Sequence, residues 1–227
     1  MRPLFIHFNA SRVQPILKLP TAPCLCINDS NKSYLYFSLT NNDGTAANAS
    51  ACSVYDNSIS LFGMSKSFAM PGLRLGWLCT RNKRLYDMMS SFKDYLTICP
   101  PAPSEVLALM ALRHRAAVLK HTMDIIHKNL KGLAAFFGRH SDVFEWHPPR
   151  ASTIGFVRLK GWLLRVGTGG ASGFCEALVQ QKEVLFLPAT MYDFADEYVR
   201  VGFGRRNLSE CLVPLEEFLS ENRNRYE

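Results

Sequence analysis

A lysine and an arginine eight residues apart, Lys66 and Arg74, are the pair in this chain whose types and spacing could do chemistry. They lie in a loop with Pro71, Gly72 and Gly76, between two apolar runs, Ser58–Phe62 and Leu75–Cys79, that read as strands. Such runs are expected where a sheet is covered on both faces. A lysine at the end of one is then partly desolvated, which favours the neutral amine, and a neutral amine attacks carbonyl carbon. Arg74 adds a permanent cation whose planar fork suits a phosphate. The two glycines allow a tight turn and close approach of the backbone to a ligand. The chemistry implied is capture of an aldehyde that carries a phosphate.

The stretch Ser65 to Trp77 resembles the pyridoxal phosphate (PLP) lysine signature of the class I and II aminotransferases of fold type I: Ser-Lys, five residues, then Gly-x-Arg-x-Gly. All five fixed positions are present, as Ser65, Lys66, Gly72, Arg74 and Gly76. The resemblance implies that Lys66 is catalytic and holds the cofactor, that Ser65 joins the cofactor site, and that Arg74 binds the phosphate. In the family a strand some three dozen residues before the lysine ends in an aspartate that bonds the pyridinium nitrogen; Asp29, 37 residues before Lys66, falls near that place. The family's tyrosine three residues after this aspartate is Lys32 here, and the hydroxyl residue common three before the lysine is Gly63. Tyr198-Val199-Arg200-Val201-Gly202-Phe203 is similar to the family's late Tyr-x-Arg-x-x-Phe strand, whose arginine holds the substrate α-carboxylate. Arg200 is therefore expected to bind substrate, since a bidentate pair fixes both carboxylate oxygens.

By the same resemblance the fold is α/β. Residues 1–115 would form part of the large PLP-binding domain, with a mixed, mostly parallel sheet and an irregular or divergent start over 1–28. A long interdomain helix would follow at 116–138, then a small α+β domain at 139–227. The resemblance covers about residues 52–223, roughly the C-terminal half of a typical member. The implied activity is transfer of an amino group from an amino acid to a 2-oxo acid, by a shortened enzyme and, if intact, a homodimer. Two alternatives stand beside it: a non-catalytic remnant that interacts with a full-length homologue, and a related PLP-dependent lyase or synthase.

With 227 residues, 48% hydrophobic and 20% charged, the composition is that of a globular protein with material for a sizeable core. The net charge of +7 is spread along the chain, and no basic helix interleaved with aromatics or zinc-finger spacing accompanies it, so no nucleic-acid partner is expected. No apolar run approaches a membrane span. Seven cysteines lacking the Cys-x2-Cys spacing suit a reducing interior, hence the cytoplasm, and no metal site is expected. The first 28 residues carry Arg2, Arg12 and Lys18 without an acidic residue, which leaves organelle targeting as an alternative.

Four prolines at 3, 15, 20 and 23 make the start irregular, and Cys24–Ile27 reads as a buried strand. Residues 40–51 are a polar loop. Helices are expected over 84–96, from an N-cap at Ser104 to about His114, and over 116–138 with Gly138 as C-cap. His114, His121 and His127 along the last two are not one turn apart and read as solvent-facing or satisfied helix histidines. Strands follow over 143–146, 153–159 and 162–166. Gly167–Gly173 looks like a dinucleotide fingerprint, but its spacing is not Gly-x-Gly-x-x-Gly, and it reads as a glycine-rich turn before a helix over 174–182. Val184–Pro188 and Tyr198–Phe203 complete the strands. Asn207–Glu210 opens a last helix by a capping box, and the tail from Glu221 is expected to fray.

Overall fold

The computed structural model describes residues 2–6 and 26–29 at the level of the backbone, and 51–149 and 152–227 with their side chains. The chain divides into two compact units, Met1–Thr122 and Met123–Glu227.

The first unit holds a four-stranded mixed sheet in the order β1-β4-β3-β2: β1 (Arg2–Ile6), β2 (Cys26–Asp29), β3 (Ser58–Gly63) and β4 (Gly76–Thr80). β2 runs parallel to β3, with Asp29 beside Leu61, whereas β4 is antiparallel to both β3 and β1. The prolines near the start do not prevent β1, because Pro3 in an edge strand forfeits one ladder donor only. The expected loop at 40–51 lies almost wholly outside the described residues, as does Lys32; the short helix α1 (Ala51–Val54) takes its last residue. Cys52 of α1 is buried, and its backbone N–H donates to the Ser60 hydroxyl at 3.1 Å, which satisfies a buried polar side chain within β3.

Helix α2 (Lys83–Leu96) begins at Asn82, whose side chain accepts from the Leu85 N–H at 3.2 Å. Its other end is closed by Lys93, a buried lysine that donates to the Thr97 and Ile98 carbonyls at 2.6 and 3.2 Å. α3 (Ala102–Arg113) starts two residues before the expected cap, because Pro103 fits the first turn, where its missing N–H has no partner to lose. α4 (Arg115–Arg139) passes through Gly138 without a left-handed cap.

In the second unit an antiparallel sheet has the order β5-β6-β8-β7, from β5 (Phe144–Trp146), β6 (Ile154–Leu159), β7 (Leu187–Pro188) and β8 (Tyr198–Gly202). Val157, Leu159, Val199 and Val201 are buried on one face. A chain of edge-to-face rings, Phe137–Phe144–Phe174–Phe218, ties α4, β5, α5 (Gly170–Lys182) and α6 (Leu208–Tyr226) together, with centroids 5.1, 6.5 and 5.7 Å apart. The expected strand at 162–166 is a 3₁₀ turn, Gly161–Arg165, entered through Gly161 at φ 58°. Trp162, Leu163 and Val166 are all buried, a spacing that fits one side of a helical turn and not the alternation of a strand. α6 lacks the expected side-chain cap at Asn207, and it continues to Tyr226 because Arg165 donates to the Tyr226 carbonyl and Arg223 pairs with Asp142.

The glycine-rich turn is explained by packing. Gly167, Gly169 and Gly170 have φ of 61°, 89° and 70°, and a Cβ on Gly173 would lie 2.6 Å from the Val166 carbonyl oxygen. The Asp196 carboxylate occupies the N-terminus of α5, accepting from the Ser172 N–H and hydroxyl at 2.9 and 2.8 Å.

Candidate active site

Ser65, Lys66 and Arg74 share the loop that joins β3 to β4. The antiparallel register ends with Gly63 opposite Gly76, and one further bond, Met64 N–H to the Leu75 carbonyl at 3.0 Å, closes the neck of the loop. Within it, Ala69 N–H donates to Lys66 O at 3.1 Å and Met70 N–H to Met64 O at 2.9 Å. Pro71–Leu73 form a 3₁₀ turn capped by Arg74 in the left-handed region, φ 52°. Ala69 is also left-handed, φ 54°. Two non-glycine residues with positive φ in one loop are a local cost that the rest of the unit must offset, and such strain concentrates at binding and catalytic segments.

The loop has an inner and an outer side. Met64, Phe68 and Leu75 are buried in a cluster with Ala108 and Ala111 of α3. Lys66, Ala69, Pro71, Gly72 and Arg74 are exposed. The expectation that Lys66 is desolvated at a strand end is thus corrected: it lies three residues past β3, on a turn whose apolar residues face inward and turn the lysine outward. The Arg74 guanidinium donates to the Pro71 carbonyl at 3.0 Å. Of the two signature glycines, Gly76 is required by packing, since a Cβ there would lie 2.7 Å from the Phe62 carbonyl oxygen. Gly72 has no neighbour within 4 Å of where its Cβ would be, so the space beside it is open.

Asp29 is the last residue of β2, the parallel neighbour of β3, so the two strands leave the sheet at the same end before the Lys66 loop begins. The two strands behind the loop are largely buried. Phe62 and Trp77 stack at 5.7 Å, and Cys79, buried beside Cys52, has its thiol pushed up to about 11, mainly by burial.

Arg200 belongs to the second unit. It lies in β8 between Phe156 of β6 and Leu187 of β7. One guanidinium N–H donates to the Tyr192 hydroxyl, and the guanidinium carbon lies 5.6 Å from the centroid of that ring. On the same face Arg158 is already paired, with Glu197 at 3.0 Å and Glu145 at 3.4 Å, and its charged form is favoured chiefly by the Glu197 hydrogen bond. Arg200 has no carboxylate partner among the described residues. Tyr192 was not found by sequence reasoning: it follows β7 in a 3₁₀ turn, eight residues from Arg200, a separation with no periodic meaning.

A family model, Aminotransferase class I and II, matches residues 33–212. The chain belongs to the class I and II aminotransferase family. Among curated relatives of this aminotransferase-family chain, capreomycidine synthase of Streptomyces vinaceus is 25% identical over 166 residues, 72% of this chain and 41% of that protein. Histidinol-phosphate aminotransferase of Methanocaldococcus jannaschii is 30% identical over 168 residues, 73% of this chain and 41% of that protein. The crystal structure of a PLP-dependent aminotransferase from Streptococcus suis superposes with a TM-score of 0.72 at 23% identity, covering 89% of this chain and 58% of that one. The fold is therefore the α/β fold of the PLP-dependent aminotransferases. The family member described here spans about two-fifths of the length of these curated relatives.

Among the described residues no helix is long and apolar enough to cross a membrane, and no group of His, Cys, Asp and Glu is placed to hold a metal ion. His114, between α3 and α4, and His121 and His127 of α4 are exposed.

Proposed function

We propose that this chain carries the cofactor-lysine and substrate-carboxylate elements of a PLP-dependent aminotransferase that moves an amino group from an amino acid to a 2-oxo acid. The observation that supports this most is the β3–β4 loop, which leaves Lys66 and Arg74 both exposed while Met64, Phe68 and Leu75 anchor it on α3. The residues fit the cofactor: an amine for the aldehyde, an arginine for the phosphate, open space at Gly72, and Asp29 at the same end of the sheet. When bound, PLP supplies a ring that withdraws electrons from the substrate Cα.

In this reading Lys66 Nζ holds the cofactor and, as a free amine, takes the proton from the substrate Cα and returns it at the acceptor carbon. Arg74 neutralises the phosphate, with Ser65 beside it. Asp29 keeps the ring nitrogen protonated, which strengthens the electron withdrawal on which Cα–H acidity depends. Arg200 binds the substrate α-carboxylate and so orients the Cα–H bond. The protein is proposed to act as a homodimer. Support comes from α3, whose Val106, Leu107, Leu109 and Met110 are all about half exposed, an apolar surface that calls for a cover.

The test is to incubate the chain with PLP, reduce with borohydride and map the modified residue. A phosphopyridoxyl group at Lys66, above the level at surface lysines such as Lys83 and Lys128, supports the reading. Equal labelling everywhere overturns it and favours a non-catalytic chain that acts by interaction. A second reading, a PLP-dependent synthase or lyase, is favoured by the capreomycidine synthase relative. Exchange of an amino group with a 2-oxo acid separates the two.

A further inference from the structure

The surroundings of Arg200 carry more information than a carboxylate anchor requires. β8 buries Val199 and Val201 on one face of its sheet and presents Tyr198 and Arg200 on the other. On that open face two arginines stand in contrasting environments. Arg158 is held between Glu145 and Glu197, so its charge is matched within the protein. Arg200 meets a phenol and two hydrophobic neighbours in place of an acid. Its bond to Tyr192 uses one terminal nitrogen, Nη1, and the Nε–Nη2 edge carries no hydrogen bond to any described residue. That edge is the one that forms a two-point pair with a carboxylate.

The rings beside it are not spent on the core. Phe156, the cross-strand partner of Arg200, is 42% exposed, and Tyr192 is 45% exposed. The two rings meet edge to face, centroids 6.0 Å apart at 87°, so each braces the other and leaves ring surface next to the guanidinium. Directly opposed residues on one sheet face have their Cβ atoms about 5 Å apart, close enough for one small ligand to touch both Phe156 and Arg200.

We propose that Phe156, Tyr192 and Arg200 form a subsite for carboxylates that bear an apolar or aromatic body. This rests on the reading of Arg200 as the carboxylate anchor and adds the substrate class. Arg200 pairs with the carboxylate. Tyr192 is a positioning residue: its hydroxyl holds Nη1 and turns the free edge of the fork outward. Phe156 covers the apolar body and sets the preference. A second carboxylate on the ligand, as in a dicarboxylic acid, finds phenyl surface there and no cation, since Arg158 is already neutralised. The predicted substrates are thus aromatic or large aliphatic amino and oxo acids, ahead of acidic ones.

The experiment uses the whole chain without cofactor and three unreactive probes, 3-phenylpropionate, propionate and glutarate, by ligand-observed NMR titration. The expected result is that 3-phenylpropionate binds on the order of tenfold tighter than either of the others, the gain given by covering one phenyl group. Arg200→Gln removes binding of all three. Tyr192→Phe, which keeps the ring, weakens all three alike and leaves their ratio intact, with no change in melting temperature. Phe156→Ala abolishes the phenyl preference and retains the weak binding of propionate. Equal affinities, a preference for glutarate, a phenyl preference that survives Phe156→Ala, or no binding by a folded chain each overturn the subsite. Binding that ignores Arg200→Gln removes the carboxylate anchor itself. The borohydride map at Lys66 does not involve these residues, so the cofactor reading and the subsite fail separately.

Discussion

Gly76 faces Phe62 across the β3–β4 ladder so closely that a methyl group at position 76 would lie 2.7 Å from the Phe62 carbonyl oxygen. The obstacle is backbone in a central pair of strands, and it cannot swing aside as a side chain would. Gly76→Ala is expected to lower stability by about 1–3 kcal/mol, the usual range for forced overpacking, and to displace the neck of the Lys66 loop. Gly72→Ala, in open space, should melt within a degree of the wild type. Thermal melts of the two variants check this, and equal losses would show that the ladder is not what constrains position 76.

Lys66 and Arg74 should separate in their effects on cofactor capture. Lys66→Arg keeps a cation but has no amine able to bond an aldehyde, and should lose the borohydride adduct altogether. Arg74→Lys keeps the charge and loses the planar two-point contact with phosphate, so the adduct should persist at Lys66 but require roughly tenfold more PLP. Titration of the adduct by mass spectrometry measures both. An unchanged midpoint in Arg74→Lys would remove Arg74 from the phosphate site.

Asp196 acts as a cap for a helix to which it does not belong. Because Gly169 precedes α5 without a side chain to offer, the Ser172 N–H is satisfied by Asp196 alone. Asp196→Ala should cost about 1–2 kcal/mol in urea unfolding, the range for a lost N-cap. Gly170→Ala should cost at least as much, since its Cβ would collide with the same carboxylate at a backbone φ of 70°.

Asn129 fastens α4 to the chain just beyond β8. Its buried amide donates to the Phe203 and Arg205 carbonyls at 2.8 and 2.6 Å. Asn129→Leu has a similar volume but leaves both carbonyls unpaired, and should destabilise by about 2–4 kcal/mol. Denaturant titration reads this directly.

Two buried thiols give a pH dependence of known sign. Cys79 and Cys175 are raised from 9.0 to about 11 and about 12, chiefly by burial. The unfolded chain therefore loses these protons first as pH rises. Stability from this source is intact below pH 9 and declines as the pH climbs through the interval up to the folded values. The denaturation midpoint should fall between pH 9 and 10.5, and Cys79→Ala with Cys175→Ala should flatten that fall. At neutral pH the exposed Cys99 should be alkylated well before either.

What the sequence determined by itself was local and chemical. The signature from Ser65 to Gly76 marked the loop, and the alternation around Arg200 placed it on a strand, because both depend on residues near one another in the chain. The long period of α4 was legible for the same reason. Three things were decided only by tertiary structure. Lys66 proved exposed because Met64, Phe68 and Leu75 found their cover in α3, about 40 residues later, and so turned the lysine outward. The apolar run at 162–166 became a 3₁₀ turn because packing rewarded one buried side over strand alternation. Arg158 and Arg200 look alike in sequence, yet one is neutralised by Glu145 and Glu197 while the other meets Tyr192 and Phe156. Which charges are matched depends on strand register, and no local spacing encodes it.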